Sequence, residues 1–251
     1  MTVSVVIVAK NEAADIAACL ASVAWAEERV VVDTGSDDAT RELTQAAGAR
    51  VLQHPWLGYG ATKNWAFSQA QGEWILSLDA DERVSERLAE EIRRVVAGER
   101  SEAAFEMPRR FQFQGRWLRY GGCYPDRQLR LFRKGRARYG ADLVHERLEV
   151  EGKIGRLRGH LDHYSYASRA EFLAKLEEYS SLWAEQAYAR GKRPRWQHRF
   201  SFLAGFSGRY LLKGGFLDGR PGLTWAVLAG RHSSAKYAKL AERARGEAGY
   251  G

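Results

Sequence analysis

The sequence predicts an α/β fold in which a mostly parallel sheet is flanked by helices and followed by a basic helical extension. Strand-like and helix-like segments alternate through the first hundred residues, as they do in parallel sheets with crossover helices. Continuous apolar runs rich in β-branched residues, such as Val3–Ala9, are typical of strands that are buried on both faces. The third observation is an Asp-x-Asp pair directly after the apolar run Trp74–Leu78.

The first four strands are predicted at residues 3–9, 29–33, 50–53 and 74–78, and the helices that follow them at 13–24, up to about 47, 62–71 and 85–97. Asn11 and Glu12 break the first strand. Residues 34–38 are rich in helix-capping side chains, and Gly72 and Gly98 end helices.

The pattern changes after residue 103. Short strand-like runs at 105–108 and 128–132 alternate with loops rich in glycine and arginine. Helix returns with a capping box at residues 168–171, and its predicted apolar face consists of Phe172, Leu176, Tyr179 and Trp183. Gly191 and Pro194 end this helix.

Charge is distributed unevenly along the 251 residues. The net charge is +8, but residues 1–108 carry −8, residues 109–138 carry +9 and residues 190–251 carry +10. The basic blocks predict anionic partners. Two cysteines, Cys19 and Cys123, are too few for a disulfide framework and indicate a reducing compartment. The start of the sequence does not have the pattern of a secretory signal.

The Asp79 and Asp81 carboxylates are expected at the carboxyl end of a buried strand, where open α/β sheets place ligands. Hard oxygen ligands suit Mg²⁺ or Mn²⁺, which usually share their coordination with substrate phosphates. The pair therefore predicts a metal ion bridged to a diphosphate. In the alternative interpretation, Asp81 and Glu82 only supply negative charge at the start of the next helix.

Motifs along the chain resemble known families. Residues 5–12, 30–40 and 78–82 resemble the family 2 glycosyltransferases of the GT-A (Rossmann-like) fold. Residues 125–133, 142–146, 163–166 and 215–220 resemble a bacterial subgroup similar to the lipopolysaccharide inner-core β-1,4-glucosyltransferases. The resemblance implies an inverting, metal-dependent transfer of a hexose, with glucose expected, from a UDP-sugar to a heptose-containing lipopolysaccharide core.

The resemblance also implies a donor site. Its expected nucleotide and donor contacts are Ala9, Asn11, Glu12, Asp33, Lys63, Asp79 and Ala80, and its expected metal ligands are Asp79, Asp81 and His163. Glu12 and Asp33 have an alternative role in helix capping and loop hydrogen bonds. Lys63 could instead be an exposed lysine on a helix, and His163 could instead have a purely structural role. Relatives often have two adjacent aspartates where this chain has Asp33 and Thr34.

For the acceptor side, the resemblance places the general base at Glu146, with Asp142 as runner-up. Glu146 could instead pair with a nearby basic residue, and His145 could orient it or contact phosphate. Arg127, Arg130 and Arg133 recur every three residues and predict a strand with a cationic face that binds a phosphorylated acceptor.

The expected organisation is a catalytic domain over residues 1–190 and a basic amphipathic helical extension over 191–251. The extension is expected to contact either the anionic inner-membrane surface or a second copy of the chain. With the membrane contact, the protein would be cytoplasmic and peripheral at the inner membrane. Nucleic acid is not expected as a partner. The alternatives are a different envelope polysaccharide or protein acceptor, and an inactive protein that binds nucleotide-sugars or anionic glycans.

Overall fold

Strands and helices alternate through the N-terminal part of the chain, as predicted. A computed structural model describes residues 1–98, 100–140, 148–166 and 169–248. The elements in order are β1 (Val3–Ala9), α1 (Ile16–Ser22), β2 (Glu28–Asp33), α2 (Thr40–Ala46), β3 (Arg50–Gln53), α3 (Tyr59–Ser68), β4 (Trp74–Leu78), β5 (Glu82–Val84) and α4 (Glu86–Ala97). The strand β5, which begins at Glu82, was not predicted.

The chain between the N-terminal part and the last helices is mainly strand. The elements are β6 (Glu102–Phe113), β7 (Arg116–Leu118), β8 (Asp126–Arg133), β9 (Ala137–Tyr139), β10 (Leu148–Val150), β11 (Lys153–Arg156) and β12 (Leu161–Tyr166). The large sheet has the order β3-β2-β1-β4-β8-β6-β12-β5. Its first four strands are parallel, and β8 joins β4 in the antiparallel sense. The predicted α/β fold class is confirmed.

The strand β1 is buried on both faces, which explains its uninterrupted apolar sequence. Val5 and Ile7 belong to one core cluster, together with Leu20 of α1. Val6 points to the other face and packs in a second cluster with Phe67 of α3. Each fully buried side chain of this kind contributes roughly 1.5–3 kcal/mol of transfer free energy, so the sheet centre supplies much of the stability of this unit.

The described chain divides into two compact units. The first unit consists of residues 1–109 and 126–163, and the second of residues 110–125 and 164–251. The predicted division into a catalytic domain of residues 1–190 and an extension of residues 191–251 concerns activity, and it stays a prediction.

The second unit is mainly helical. It contains α5 (Arg169–Ala189), a 3-10 turn (Trp196–Phe200), α6 (Ser201–Ser207), a π-helical turn (Gly208–Leu212), a second 3-10 turn (Gly215–Asp218) and α7 (Gly219–Ala248). Phe113, Phe172 and Leu228 lie in its main apolar cluster. Among the described residues, no helix is both long enough and apolar enough to cross a membrane.

Candidate active site

The Asp79 carboxylate lies at the carboxyl end of β4 and is held by two cations. Its Oδ1 accepts a hydrogen bond from Lys63 Nζ at 2.7 Å, and its Oδ2 accepts one from Arg130 Nη2. Burial alone would raise the pKa of Asp79, but the charges of Arg130 and Lys63 outweigh it and hold the pKa well below its usual range. Asp79 is therefore an ionised, oriented carboxylate.

Lys63 is buried, in contrast to the exposed helix lysine of the alternative interpretation. Its side chain comes from α3, is only 3% exposed and lies with Nζ 4.6 Å from the ring centroid of Tyr59. A buried ammonium needs a countercharge, and Asp79 supplies it. Lys63 therefore lies at this edge of the sheet with Asp79 as its partner, and its predicted contact with the donor stays a prediction.

Glu82 extends the charged cluster into the interior. It is fully buried, and its carboxylate accepts hydrogen bonds from Arg109 Nη1 at 3.0 Å, from Arg130 Nη2 at 2.7 Å and from the Asp79 N–H at 3.0 Å. Arg109 also bonds to Asp126 at 2.7 Å. Glu82 therefore does not lie at the start of a helix. It begins a strand, and its carboxylate forms ion pairs with two arginines.

Asp81 and His163 come together beside this cluster. Antiparallel pairing of β12 with β5 sets His163 opposite Glu82, and His163 Nε2 lies 3.1 Å from Asp81 Oδ2. Both side chains are partly exposed, at 17% and 25%. An oxygen donor and a nitrogen donor therefore converge at an accessible point, while Asp79 is already occupied by two cations.

This donor set fits a divalent ion that takes further ligands from a substrate. Among the described residues, no group of three His, Cys, Asp or Glu side chains could hold a metal alone. Mg²⁺ is commonly bound by one or two carboxylates plus substrate phosphates and water, so two protein ligands suffice. The predicted three-ligand set of Asp79, Asp81 and His163 stays a prediction; Asp79 is also partly exposed, at 34%, but both of its carboxylate oxygens already bond to cations.

The loops after β1 and β2 are tied to each other. Asn11 has a positive φ of 57°, donates its N–H to Ser36 Oγ at 2.9 Å and accepts the N–H of Asp37 at 3.0 Å. The Glu12 N–H donates to Thr40 Oγ1 at 2.8 Å. Together these hydrogen bonds fix the backbone of Asn11 and Glu12 beside the carboxyl ends of β1 and β2.

The loop bonds also place the predicted donor contact Ala9. Its backbone carbonyl accepts the Thr34 N–H at 3.0 Å, and Ala9 pairs with Asp33 in the parallel register of β1 and β2. Ala9 therefore contributes backbone to this edge of the sheet, while its small side chain is buried in the core.

A cavity of about 260 Å³ lies at the carboxyl ends of β2 and β3. Asp33 is buried in the wall of this cavity, and its carboxylate accepts the Ser36 N–H at 3.1 Å. Asp33 therefore makes the loop hydrogen bond of the alternative interpretation. Arg41 Nε lies 3.9 Å from Asp33. His54 also lines the cavity and stacks on Trp65 with centroids 3.9 Å apart. A flat polar ring is the kind of group that such a cavity can take.

The three predicted acceptor arginines do not form one cationic face. The pairing of β8 with β6 has a register irregularity at Arg130, so side chains do not simply alternate between the two faces of β8 there. Arg130 is buried against Asp79 and Glu82, while Arg127 is partly exposed. Arg133 lies 4.6 Å from the centroid of the Trp74 ring. Part of the basic block is therefore neutralised within the chain.

The remaining predicted site residues divide into two groups. Ala80 is buried behind the Asp-x-Asp pair. Asp142, His145 and Glu146 lie outside the described residues, so their predicted roles are untested. Sequence reasoning missed Arg109 and the interior position of Glu82; the only available signal was the alternation of acidic and basic blocks along the chain.

Comparisons with known proteins agree with these motifs. The family model described as Glycosyl transferase family 2 matches residues 4–152. The lipopolysaccharide core biosynthesis glycosyltransferase LpsC of Rhizobium meliloti is 34% identical over 202 residues, which cover 78% of this chain and 75% of that protein. An uncharacterized glycosyltransferase of Rickettsia bellii is 30% identical over 244 residues, covering 86% and 80%.

Solved structures resemble the chain more distantly. Staphylococcus aureus TarS has a TM-score of 0.49 and 17% identity, covering 72% of this chain and 39% of that one. Glucosyl-3-phosphoglycerate synthase from Mycobacterium tuberculosis has a TM-score of 0.48 and 16% identity, covering 66% and 72%. Both TM-scores are below 0.5, so these likenesses are too coarse to transfer the role of any residue.

Proposed function

Since the chain belongs to glycosyl transferase family 2 and is a glycosyltransferase, we propose that it moves a hexose from a UDP-sugar to a lipopolysaccharide core. Glucose is the proposed sugar, a core heptose is the proposed acceptor and inversion is the proposed stereochemical course. The relationship to a lipopolysaccharide core glycosyltransferase supports the acceptor class. Another envelope polysaccharide or a protein acceptor is the second candidate within the same chemistry.

The observation that carries the proposal is the arrangement of Asp79, Asp81 and His163 at the carboxyl end of β4. Asp79 is held by Lys63 and Arg130, whereas Asp81 and His163 face each other at 3.1 Å. We assign Asp79 to the donor sugar-nucleotide and Asp81 with His163 to Mg²⁺ or Mn²⁺. The bound ion would neutralise negative charge on the departing diphosphate.

The nucleobase is proposed to enter the cavity at the ends of β2 and β3. Asp33 uses part of its acceptor capacity on the Ser36 N–H, and a carboxylate has about four lone-pair positions. A remaining position could accept a ring N–H of uracil, which would favour that base because buried donors need partners. Asn11 holds the loop that borders this region through Ser36 and Asp37.

Inverting transfer needs one general base that takes the proton of the attacking hydroxyl. Glu146 is the proposed base and Asp142 the second choice, and His145 is proposed to orient Glu146 or to contact phosphate. Arg127 remains the proposed contact to a phosphorylated acceptor, since it is partly exposed.

An expected result is that Glu146→Gln lowers turnover far more than donor affinity, whereas equal losses would indicate a binding role.

The second unit is proposed to contact an anionic membrane surface. Many of its large apolar side chains are at least 42% exposed, among them Trp196, Phe200, Leu203, Leu211, Leu212, Phe216, Leu217 and Leu223. Residues 190–251 carry a net charge of +10, which complements anionic headgroups. Apolar side chains interspersed with cations are typical of interfacial helices. A second copy of the chain is the alternative partner for this surface.

Calorimetric titration with UDP, with and without Mn²⁺, tests the donor half of the proposal. We expect metal-dependent binding that Asp81→Ala weakens by about 100-fold, because a charged ligand to a bridging ion is lost. Glu90→Ala is the control, since it removes an exposed carboxylate from α4. Binding that is unchanged in Asp81→Ala would remove Asp81 from the donor site. Absent binding would point to a different nucleotide carrier or a polyprenyl-phosphate sugar donor, and would make an inactive, binding-only protein a serious candidate.

A further inference from the structure

A second cavity lies wholly within the second unit. It has a volume of about 570 Å³ and is formed by α5, α6, the π-helical turn and α7. Its wall includes Trp183, Arg209, Trp225, His232, Lys236 and Tyr237. None of the described residues in this wall is an aspartate or a glutamate. The charged part of the lining is therefore entirely cationic, and the rest is mostly aromatic.

The cations of this cavity lie against rings instead of carboxylates. Arg209 Cζ is 5.7 Å from the Trp225 ring centroid, and Lys236 Nζ is 5.3 Å from that of Trp183. Lys192 Nζ lies 4.8 Å from the same Trp183 ring. By contrast, Lys239, one turn further along α7 from Lys236, is paired with Glu177. Within the described part of the chain, the cavity cations have no such ion pair.

Three further observations indicate an unpartnered donor and uncompensated positive charge around the cavity. The indole N–H of Trp225 is buried and has no hydrogen-bond acceptor among the described residues. Burial, and then the charge of Lys192, lower the pKa of Lys236. Burial together with Lys236 and Arg209 lowers the pKa of His232 to about 4. Buried donors and clustered cations are costly without an anionic acceptor.

We propose that this cavity binds the phosphate group of an amphiphilic ligand. Arg209 and Lys236 would hold the phosphate through charge-assisted hydrogen bonds, next to the Trp225 ring that lines the cavity. The aromatic walls would pack against the apolar part of the ligand. The volume lies in the range of small-molecule sites. This site belongs to the second unit and uses none of the residues assigned to the sugar donor.

Binding is tested on the full chain with two phosphate sources. The first is soluble glycerol 3-phosphate, and the second is vesicles of phosphatidylglycerol compared with phosphatidylcholine. We expect at least one phosphate source to bind and to shift the Trp225 indole N–H resonance in nitrogen-edited NMR, because the Trp225 ring lines the cavity that takes up the negative charge. A response to vesicles alone identifies a lipid headgroup, and a response to the soluble ester identifies a free phosphate ester. No shift with either source overturns the proposal.

Variants on α7 separate the cavity from general surface charge. Lys236→Gln should weaken binding by about tenfold or more, and Lys236→Arg should restore it, because a charged hydrogen bond is lost and regained. Arg231→Gln is the matched control: it removes one exposed positive charge from the same helix and should change binding by less than about twofold. Equal weakening by both glutamine variants would overturn a specific site.

The donor site provides an independent check. UDP binding should be the same in wild type and Lys236→Gln, and glycerol 3-phosphate should not compete with UDP. Competition would mean that the added phosphate occupies the donor site, which would overturn the assignment to the second unit. A failure of UDP to bind would count against the proposed donor and leave the Trp225 test intact.

Discussion

The two units of the protein place their cations in different surroundings. In the first unit, Lys63 bonds to Asp79, and Arg130 bonds to both Asp79 and Glu82. In the second unit, Lys236 and Arg209 lie over tryptophan rings, with no ion pair to a described carboxylate. Lys63 and Arg130 are buried, whereas Lys236 and Arg209 are partly exposed, and among the described residues only the first arrangement contains compensating negative charge.

This difference separates a pre-assembled site from one that lacks a counterion. Breaking a buried ion pair by removing one partner is costly, because the other charge is left uncompensated. Removing a cation that has no carboxylate partner carries no such penalty. The same kind of substitution should therefore have a large effect in the first unit and a small one in the second.

The largest expected effect is that of Arg130→Met. The substitution leaves Asp79 with one cation instead of two and Glu82 with Arg109 alone. We expect the free energy of unfolding to fall by about 3–5 kcal/mol, as measured by denaturant unfolding. Arg127→Met on the same strand is the control, and it should cost no more than about 1 kcal/mol because Arg127 is 38% exposed. Equal losses of unfolding free energy would mean that the buried ion pairs of Arg130 stabilise the fold no more than an exposed arginine does.

A smaller effect is expected from pH in the second unit. The pKa of His232 is lowered to about 4 by burial, Lys236 and Arg209, while an unfolded histidine has a pKa near 6.5. Between these values the unfolded chain binds a proton that the folded chain does not, so stability falls as pH is lowered from 7 to 5.

The histidine variant tests this assignment. His232→Gln should reduce the loss of unfolding free energy between pH 7 and pH 5, measured by denaturant titration at each pH. His198, whose pKa is also lowered by burial, Lys192 and Arg195, should account for part of the remaining slope. A slope that is identical in wild type and variant would show that His232 keeps its ordinary pKa.

The sequence predicted the parallel strands well because their signal is local. The apolar runs of β1 and β4 and the breaks after them lie within single windows of the sequence, and strand positions follow from them. The charged cluster could not be predicted in this way. Arg130 reaches Asp79 across 51 positions, and the β12–β5 register that places His163 near Asp81 is also non-local. Spacing within one segment carries no information about such pairings.

Lys236→Met is the counterpart of Arg130→Met in the second unit, and its effect on stability should be small. Lys236 loses solvation by burial and is repelled by Lys192, while its ring contact with Trp183 is worth roughly 0.5–1 kcal/mol. We expect the free energy of unfolding to change by less than about 1 kcal/mol in either direction, by the same denaturant measurement. A loss comparable to that of Arg130→Met would reveal a carboxylate partner for Lys236 and break the comparison between the units.

The smallest stability effect is expected at Leu212, whose side chain is 87% exposed in the second unit. Leu212→Gln should change the free energy of unfolding by less than about 0.5 kcal/mol, because little apolar surface is buried there. If the second unit contacts a membrane, however, the same variant should weaken binding to phosphatidylglycerol vesicles in a co-sedimentation assay.

Ile154 provides the matched control in the first unit, since it is an apolar side chain that is 50% exposed on β11. Ile154→Gln should leave vesicle binding unchanged, because exposed apolar residues that occur singly are ordinary on protein surfaces. Equal weakening by both variants would mean that vesicle binding is non-specific. Loss with Leu212→Gln alone would mean that this exposed apolar side chain of the second unit takes part in attaching the enzyme to an anionic, amphiphilic surface.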